Sequence, residues 1–229
     1  MPVNLPLALI LLSLAAAALD WLAVAKAWKR LEYLAKPAVM LLLLAWLLTG
    51  GLPGALAWFA LGAAFSLAGD VFLMLPKERF TAGLAAFLLA HLAYIVGLNQ
   101  APLPLNPAAL LLIPVVALPA GQVYRRVAAG LERLGKPRLR LPVLVYTIVI
   151  SLMLLSALLT LARPVEVPGA WQAGPSLLVS GGALLFYLSD ALLAWNRFVG
   201  KLPSGRLGVH LTYHLGQIGL LLGAALHSM

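Results

Sequence analysis

Eight apolar runs, each about 20 residues long, limit what this chain can be. They lie roughly at 3–24, 31–49, 54–75, 79–98, 107–128, 141–162, 171–196 and 207–227. Coiled as helices, runs of that length match the hydrocarbon thickness of a bilayer. Lipid offers the backbone no water to bond, so each run must satisfy its own polar groups as a helix. The fold class that follows is all-α: a polytopic membrane protein of eight transmembrane helices, in one domain over residues 1–229. Only 10% of the residues are charged, where a soluble domain runs nearer a quarter.

The charges that remain are distributed unevenly. The net charge is +9, from 16 Lys and Arg against 7 Asp and Glu. All the basic residues but Arg163 flank the odd-numbered connections between runs, among them Lys26, Lys29, Arg30, Lys77, Arg79, Arg197 and Arg206. The positive-inside rule makes that side cytoplasmic and puts both termini outside. The basic charge is therefore a topology signal with some attraction for anionic lipid, and it does not call for a nucleic-acid partner. The first run ends in small residues that resemble a cleavage site, but "MPVNLPLALI" before it has no Lys or Arg, which suits a retained helix. With no cysteine, disulfide and thiol chemistry are absent.

Asp70 stands in "SLAGDVFLM", inside an otherwise apolar or small stretch. A second such carboxylate is Asp190. "GAAFSLAGDVFLMLPK" (62–77) and "GALLFYLSDALLAWNR" (182–197) align without gaps, and "HLAYI" (91–95) echoes "HLGQI" (214–218). These matches suggest a parallel internal repeat of helices three and four with seven and eight, pairing Asp70 with Asp190 and His91 with His214. A carboxylate at mid-helix costs about 2.5–3.5 kcal/mol on insertion, so it faces the bundle interior or a water-filled cavity. Asp20, Asp70 and Asp190 all fall about one to two turns before the cytoplasmic end of a helix, at one depth.

Helices entering from the cytoplasm bring polar groups to that depth: Tyr33 and Lys36, His91 and Tyr94, Tyr146 and Ser151, then His210, His214 and Gln217. A polar pocket opening at the inner leaflet accounts for them. Each also has a plain structural reading. Asp70 and Asp190 could be ion-paired, for instance with Lys36 or a His; Asp20 reads as a paired or snorkelling charge; the histidines read as interhelical hydrogen-bonding groups. Small residues such as Gly62, Ser66, Gly69, Gly181, Gly182, Gly219 and Gly223 are expected to let helices approach closely.

"AKPAVM", "FSLAGDVFLM", "FLLAHLAYIVG", "YTIVISLM", "GALLFYLSDALLAW" and "TYHLGQIGL" occur here in an order that resembles the YhhN-type lysoplasmalogenase family. The resemblance implies an eight-helix membrane hydrolase that cleaves the vinyl ether of lysoplasmalogens. Its products would be a fatty aldehyde and glycerophospho-ethanolamine or -choline, formed without a cofactor. The implied partners are a lysophospholipid substrate and the lipid bilayer, and the implied location is a bacterial-type inner (plasma) membrane.

A vinyl ether is stable to base and hydrolysed by acid: a proton adds to the alkene carbon, water captures the oxocarbenium ion, and the hemiacetal collapses. Two carboxyl groups can divide those roles if their surroundings differ, and burial in a low-dielectric bundle favours the protonated form. Asp70 and Asp190 are the expected catalytic pair, with the acid unassigned between them. Lys36 is the candidate for the phosphate or for charge balance. Tyr33, His91, Tyr94, Tyr146, His214 and Gln217 complete the expected substrate-binding set, and Lys77, Arg79 and Arg197 form a basic rim. Two other readings compete: a small-solute transporter or channel, and a zinc-dependent lipid hydrolase using His210, His214 and an Asp.

Overall fold

The computed structural model describes residues 4–75, 79–101, 107–162 and 169–229. Lys77, one of the expected rim cations, and Arg163 lie outside the described residues. Those residues form eight long helices: α1 (Leu5–Ala25), α2 (Lys29–Thr49), α3 (Leu56–Met74), α4 (Phe80–Leu98), α5 (Pro107–Arg133), α6 (Arg140–Leu161), α7 (Ala173–Ala194) and α8 (Gly205–His227). Each is long and apolar enough to cross a membrane. The chain is an all-α integral membrane protein, and its helices fall within a few residues of the apolar runs.

The surface is the reverse of a soluble protein's. Leucines such as Leu11, Leu41, Leu118 and Leu177 are exposed, whereas Asp20, Asp70, His91, His214 and Gln217 are wholly buried. Lipid is as apolar as leucine, so burial of apolar area does not hold such helices together; close packing and interhelical hydrogen bonds do. A close approach joins α7 to α8. A Cβ added at Gly216 would lie 2.7 Å from the backbone nitrogen of Phe186, and one at Gly219 would lie 2.9 Å from the Cα of Gly182. In α3, Gly62 and Gly69 receive the rings of Tyr94 and Phe87 from α4. Gly181 departs from the expectation: nothing lies within 4 Å of where its Cβ would be, because it faces away from α8.

One irregularity shapes the end of the bundle that carries the polar residues. α7 closes in a π-helical turn over Trp195–Val199, a wide turn often found at functional sites. It directs Arg197 over the Phe80 ring, 4.3 Å from its centre, and buries Phe198 among Val127, Leu131 and Val143 of α5 and α6. Gly130 of α5 presses on the carbonyl of Phe198, which leaves no room there for a side chain. α5 is thus clamped near its C-terminus. Farther back it contains Pro114 and Pro119, each of which removes a backbone hydrogen bond, and it is the least buried of the eight spans.

Candidate active site

α1, α3, α5 and α7 finish, and α2, α4, α6 and α8 begin, at the end of the bundle where the polar groups gather. A cavity of about 350 Å³ opens between them, walled by Tyr33 and Lys36 of α2, Asp70 of α3, Asp190 of α7 and His210 and Tyr213 of α8. The helical repeat explains how α3 delivers its carboxylate. Phe59, Gly62, Ala63, Ser66, Gly69 and Asp70 are buried at spacings of three, four and seven, the period of one helix face. Asp70 is the last of that stripe, four residues before Met74.

The two aspartates occupy different surroundings. Asp70 is fully buried, with the Lys36 ammonium 2.9 Å from Oδ1. The Tyr213 hydroxyl donates to Oδ2 at 2.6 Å, and Lys36 also lies over the Tyr213 ring, 5.2 Å from its centre. Asp190 keeps 12% of its side chain accessible. Its Oδ2 accepts a hydrogen bond from the Tyr146 hydroxyl, and His91 Nε2 lies 2.9 Å from that hydroxyl oxygen and 3.4 Å from Oδ2. Each carboxylate therefore accepts from a phenol, and what separates them is a lysine beside Asp70 and an imidazole beside Asp190. Both face the same cavity.

Sequence-expected residues separate into those on the wall and those behind it. Tyr33, Lys36, Asp70 and Asp190 line the cavity. Tyr146 lines an adjoining space, and His91 lies buried behind Tyr146 and Asp190. Tyr94 and Gln217 lie deeper: the Tyr94 hydroxyl donates to Gln217 Oε1 at 2.6 Å, and Gln217 Nε2 donates to Ser66 Oγ at 3.0 Å. They join α4, α8 and α3 and do not border the cavity. His214 is likewise enclosed, with Nδ1 3.7 Å from Asp20 Oδ2. Asp20 is paired, as expected, with His210 Nδ1 2.6 Å from its Oδ2.

Several wall residues escaped the sequence-based set. Tyr213 shares the α8 face of His210, His214 and Gln217, and that spacing was the available signal. Arg206 grips Glu32 through two hydrogen bonds of 2.6 and 2.9 Å, and Lys29 lies 3.2 Å from the same carboxylate. Their sequence positions at helix ends hid this pairing of α2 with α8. His210 and His214 turn Nδ1 toward one Asp20 oxygen, and among the described residues no three His, Asp or Glu are grouped to hold a metal ion.

Beside the cavity lies an apolar slot of about 70 Å³ between α4, α5, α6 and α7, lined by Leu84, Val127, Val143, Ile150 and Tyr187. Slot and cavity share Leu73, Phe80, Phe87, Asp190, Leu193 and Arg197. Asp190 is thus at the seam between a polar space and an apolar one.

Eight membrane-spanning helices around such a seam define an integral membrane protein with an intramembrane polar site. The chain belongs to the YhhN family, whose profile matches residues 31–224. It is 34% identical over 190 residues to lysoplasmalogenase TMEM86B of Rattus norvegicus, covering 82% of this chain and 70% of that protein. It is 35% identical over 159 residues to human lysoplasmalogenase TMEM86B, covering 69% of this chain and 59% of that one. A lysoplasmalogenase of Mycobacterium tuberculosis is 32% identical over 149 residues, covering 62% and 50%. No solved structure matches the chain.

Proposed function

We propose that this protein is a lysoplasmalogenase, hydrolysing the vinyl ether of an alkenyl lysophospholipid to a fatty aldehyde and a glycerophospho-alcohol. The observation that carries this reading is the position of Asp190 between the polar cavity and the apolar slot. In such a lipid the scissile bond is itself the junction of headgroup and chain. With glycerol and phosphate in the cavity and the chain in the slot, the vinyl ether lies against Asp190. The similarity to proteins named lysoplasmalogenase supports the same reading.

The surroundings suggest a division of labour. Asp70, beside the Lys36 ammonium, suits the anion that stabilises positive charge in the transition state. Asp190 has no Lys or Arg in ion-pair contact among the described residues; its contacts with Tyr146 and His91 both fall on Oδ2. In this reading Oδ1 delivers a proton to the alkene carbon, and the ether carbon becomes an oxocarbenium ion. Water adds to that carbon and returns a proton to the carboxylate. The hemiacetal then loses the glycerol oxygen, which takes up a proton, and leaves the aldehyde. Lys29, Lys36, Arg197 and Arg206 along the wall supply positive charge for the phosphate.

Beneath the cavity the bundle is filled: Phe87, Phe186 and Tyr213 pack edge to face with centres 5.5 to 6.1 Å apart. That layer favours a site over a through-path for solute.

Aldehyde release by purified protein tests the reading, with the matched alkyl-ether and acyl lysophospholipids as controls. We expect release from the vinyl ether alone, unaffected by chelator, and lost in Asp70→Asn and Asp190→Asn. Loss of activity to chelator, or release from the acyl lipid, would replace this mechanism with that of a metal hydrolase.

A further inference from the structure

The apolar slot abuts a second space on its α5–α6 side. Tyr124 of α5 and Thr147 of α6 line it, and the same two residues line a second, larger groove of about 300 Å³ between those helices. Ala117, Ala120 and Gly121 of α5 face Ser151, Leu152 and Leu155 of α6 along it. We propose that this α5–α6 groove holds the distal part of the substrate's alkenyl chain, and that Ala117, Ala120 and Gly121 set the chain length the site accepts. The inference rests on the lysoplasmalogenase reading and adds a binding site to it.

The direction of the groove is right for a chain. Near Asp190 the slot is lined by Val127 and Val143; the groove continues to Ile113 on α5 and Leu155 on α6. The two helices are antiparallel neighbours, so both series lead away from the polar end. From Tyr146, which bonds Asp190, to Leu155 is about 14 Å at the helical rise. One leaflet of a hydrocarbon core about 30 Å thick is close to that depth. A chain anchored at Asp190 would therefore run down the groove parallel to neighbouring lipid tails.

Its chemistry fits as well. The two hydroxyl-bearing residues on the α6 wall are turned back onto their own helix: Thr147 Oγ1 donates to the Val143 carbonyl at 2.8 Å and Ser151 Oγ to the Thr147 carbonyl at 2.7 Å. Their hydroxyl protons are thereby occupied within α6. On the other wall, small side chains hollow out α5, and nothing lies within 4 Å of where a Cβ at Gly121 would be. α5 is clamped to the π turn at Gly130 but packs on the rest of the bundle mainly through α6. Its prolines remove the backbone donors at two positions on this stretch. The groove can thus exist as a lateral opening, through which a chain slides in from lipid and an aldehyde slides out.

Gly121→Leu fills the groove without displacing a neighbour, and leucine favours a helix more than glycine does. Gly174→Leu, at the far end of α7, has equal free space and serves as the control. We expect Gly121→Leu to lower kcat/KM at least tenfold for a lysoplasmalogen of about 16 carbons, a leaflet-spanning chain. A homologue of about half that length, confined to the slot, should change less than twofold, and Gly174→Leu should change neither. Equal loss on both chains, or on neither, would overturn the proposal.

A second measurement needs no turnover. Alkyl-ether lysophospholipids carrying a diazirine at the chain end or beside the ether are photolysed with the protein. The end-labelled probe should mark residues 113–121 and 151–155, and the ether-labelled probe should mark the surroundings of Tyr146 and Leu193. Labelling spread over lipid-facing helices by both probes means a bulk-lipid contact, and the groove assignment fails. The expected labelling without aldehyde release from any vinyl ether would uphold the groove and reject the lysoplasmalogenase reading.

Discussion

Lys36 and Asp70 meet 2.9 Å apart, one from the start of α2 and the other from the end of α3, in a place where Asp70 has no solvent exposure. Breaking a buried pair by removing one partner leaves an uncompensated charge and costs about 3–5 kcal/mol. Lys36→Met should therefore lower the thermal midpoint sharply in detergent. The double variant Lys36→Met with Asp70→Asn should recover most of that midpoint while remaining inactive. If the double variant is no more stable than Lys36→Met alone, the pair is not what neutralises Asp70.

Tyr146 should report on Asp190. Tyr146→Phe removes the hydroxyl that donates to Oδ2 and leaves the ring against His91, with which it packs at 5.2 Å. Loss of one hydrogen bond worth about 1.4 kcal/mol corresponds to a tenfold fall in kcat. Asp190→Asn, removing the proposed acid, should cost about 10²–10⁴ in kcat. Steady-state kinetics on folded protein would decide; an unchanged kcat in Tyr146→Phe would remove the tyrosine from the catalytic arrangement.

Arg206 offers a contrast. About half of its side chain is exposed, and its two bonds to Glu32 close α2 onto α8 at the cavity rim. Arg206→Gln should raise KM for the lysophospholipid several-fold while kcat stays within about twofold, as for an interaction made equally in ground and transition states. Raised ionic strength should weaken wild-type binding in the same direction, because exposed charges are screened over about 10 Å at 0.1 M salt. A fall in kcat with KM unmoved would assign Arg206 to the chemical step instead.

Tyr94 and Gln217, expected to touch substrate, sit behind the wall and bond each other. Tyr94→Phe leaves a buried Gln217 oxygen without its donor, a loss of about 1–3 kcal/mol. We expect lower stability with nearly normal turnover of the protein that remains folded. Thermal unfolding and kinetics on the same sample distinguish this from a binding role, for which KM would rise instead.

The legible and hidden parts of this molecule divide along physical lines. Lipid forces each long apolar run into a helix, so the spans could be read directly. The cost of burying charge singled out Asp70 and Asp190, and both line the cavity. What the chain does not display is the rotation of one helix against another. Lys36 and Asp70 were recognisable as a possible pair because few charges were available, whereas Arg206 and Glu32, each at a helix end, gave no such hint. Tyr213 stands beside the His210, His214 and Gln217 series in the sequence, but nothing there shows that its hydroxyl bonds Asp70. The π turn at Trp195–Val199 and its contact with Gly130 show only in the folded chain.

The seam at Asp190 has a kinetic consequence. A substrate spanning it must leave part of itself in each of two phases, so its effective concentration is set by its share of the membrane surface. Diluting the lipid with inert detergent at constant bulk concentration should slow turnover, and concentrating it in small vesicles should speed it. The two products would also part by separate routes: the glycerophospho-alcohol into water through the polar mouth, the aldehyde into the bilayer it came from. Release of one need not wait for release of the other.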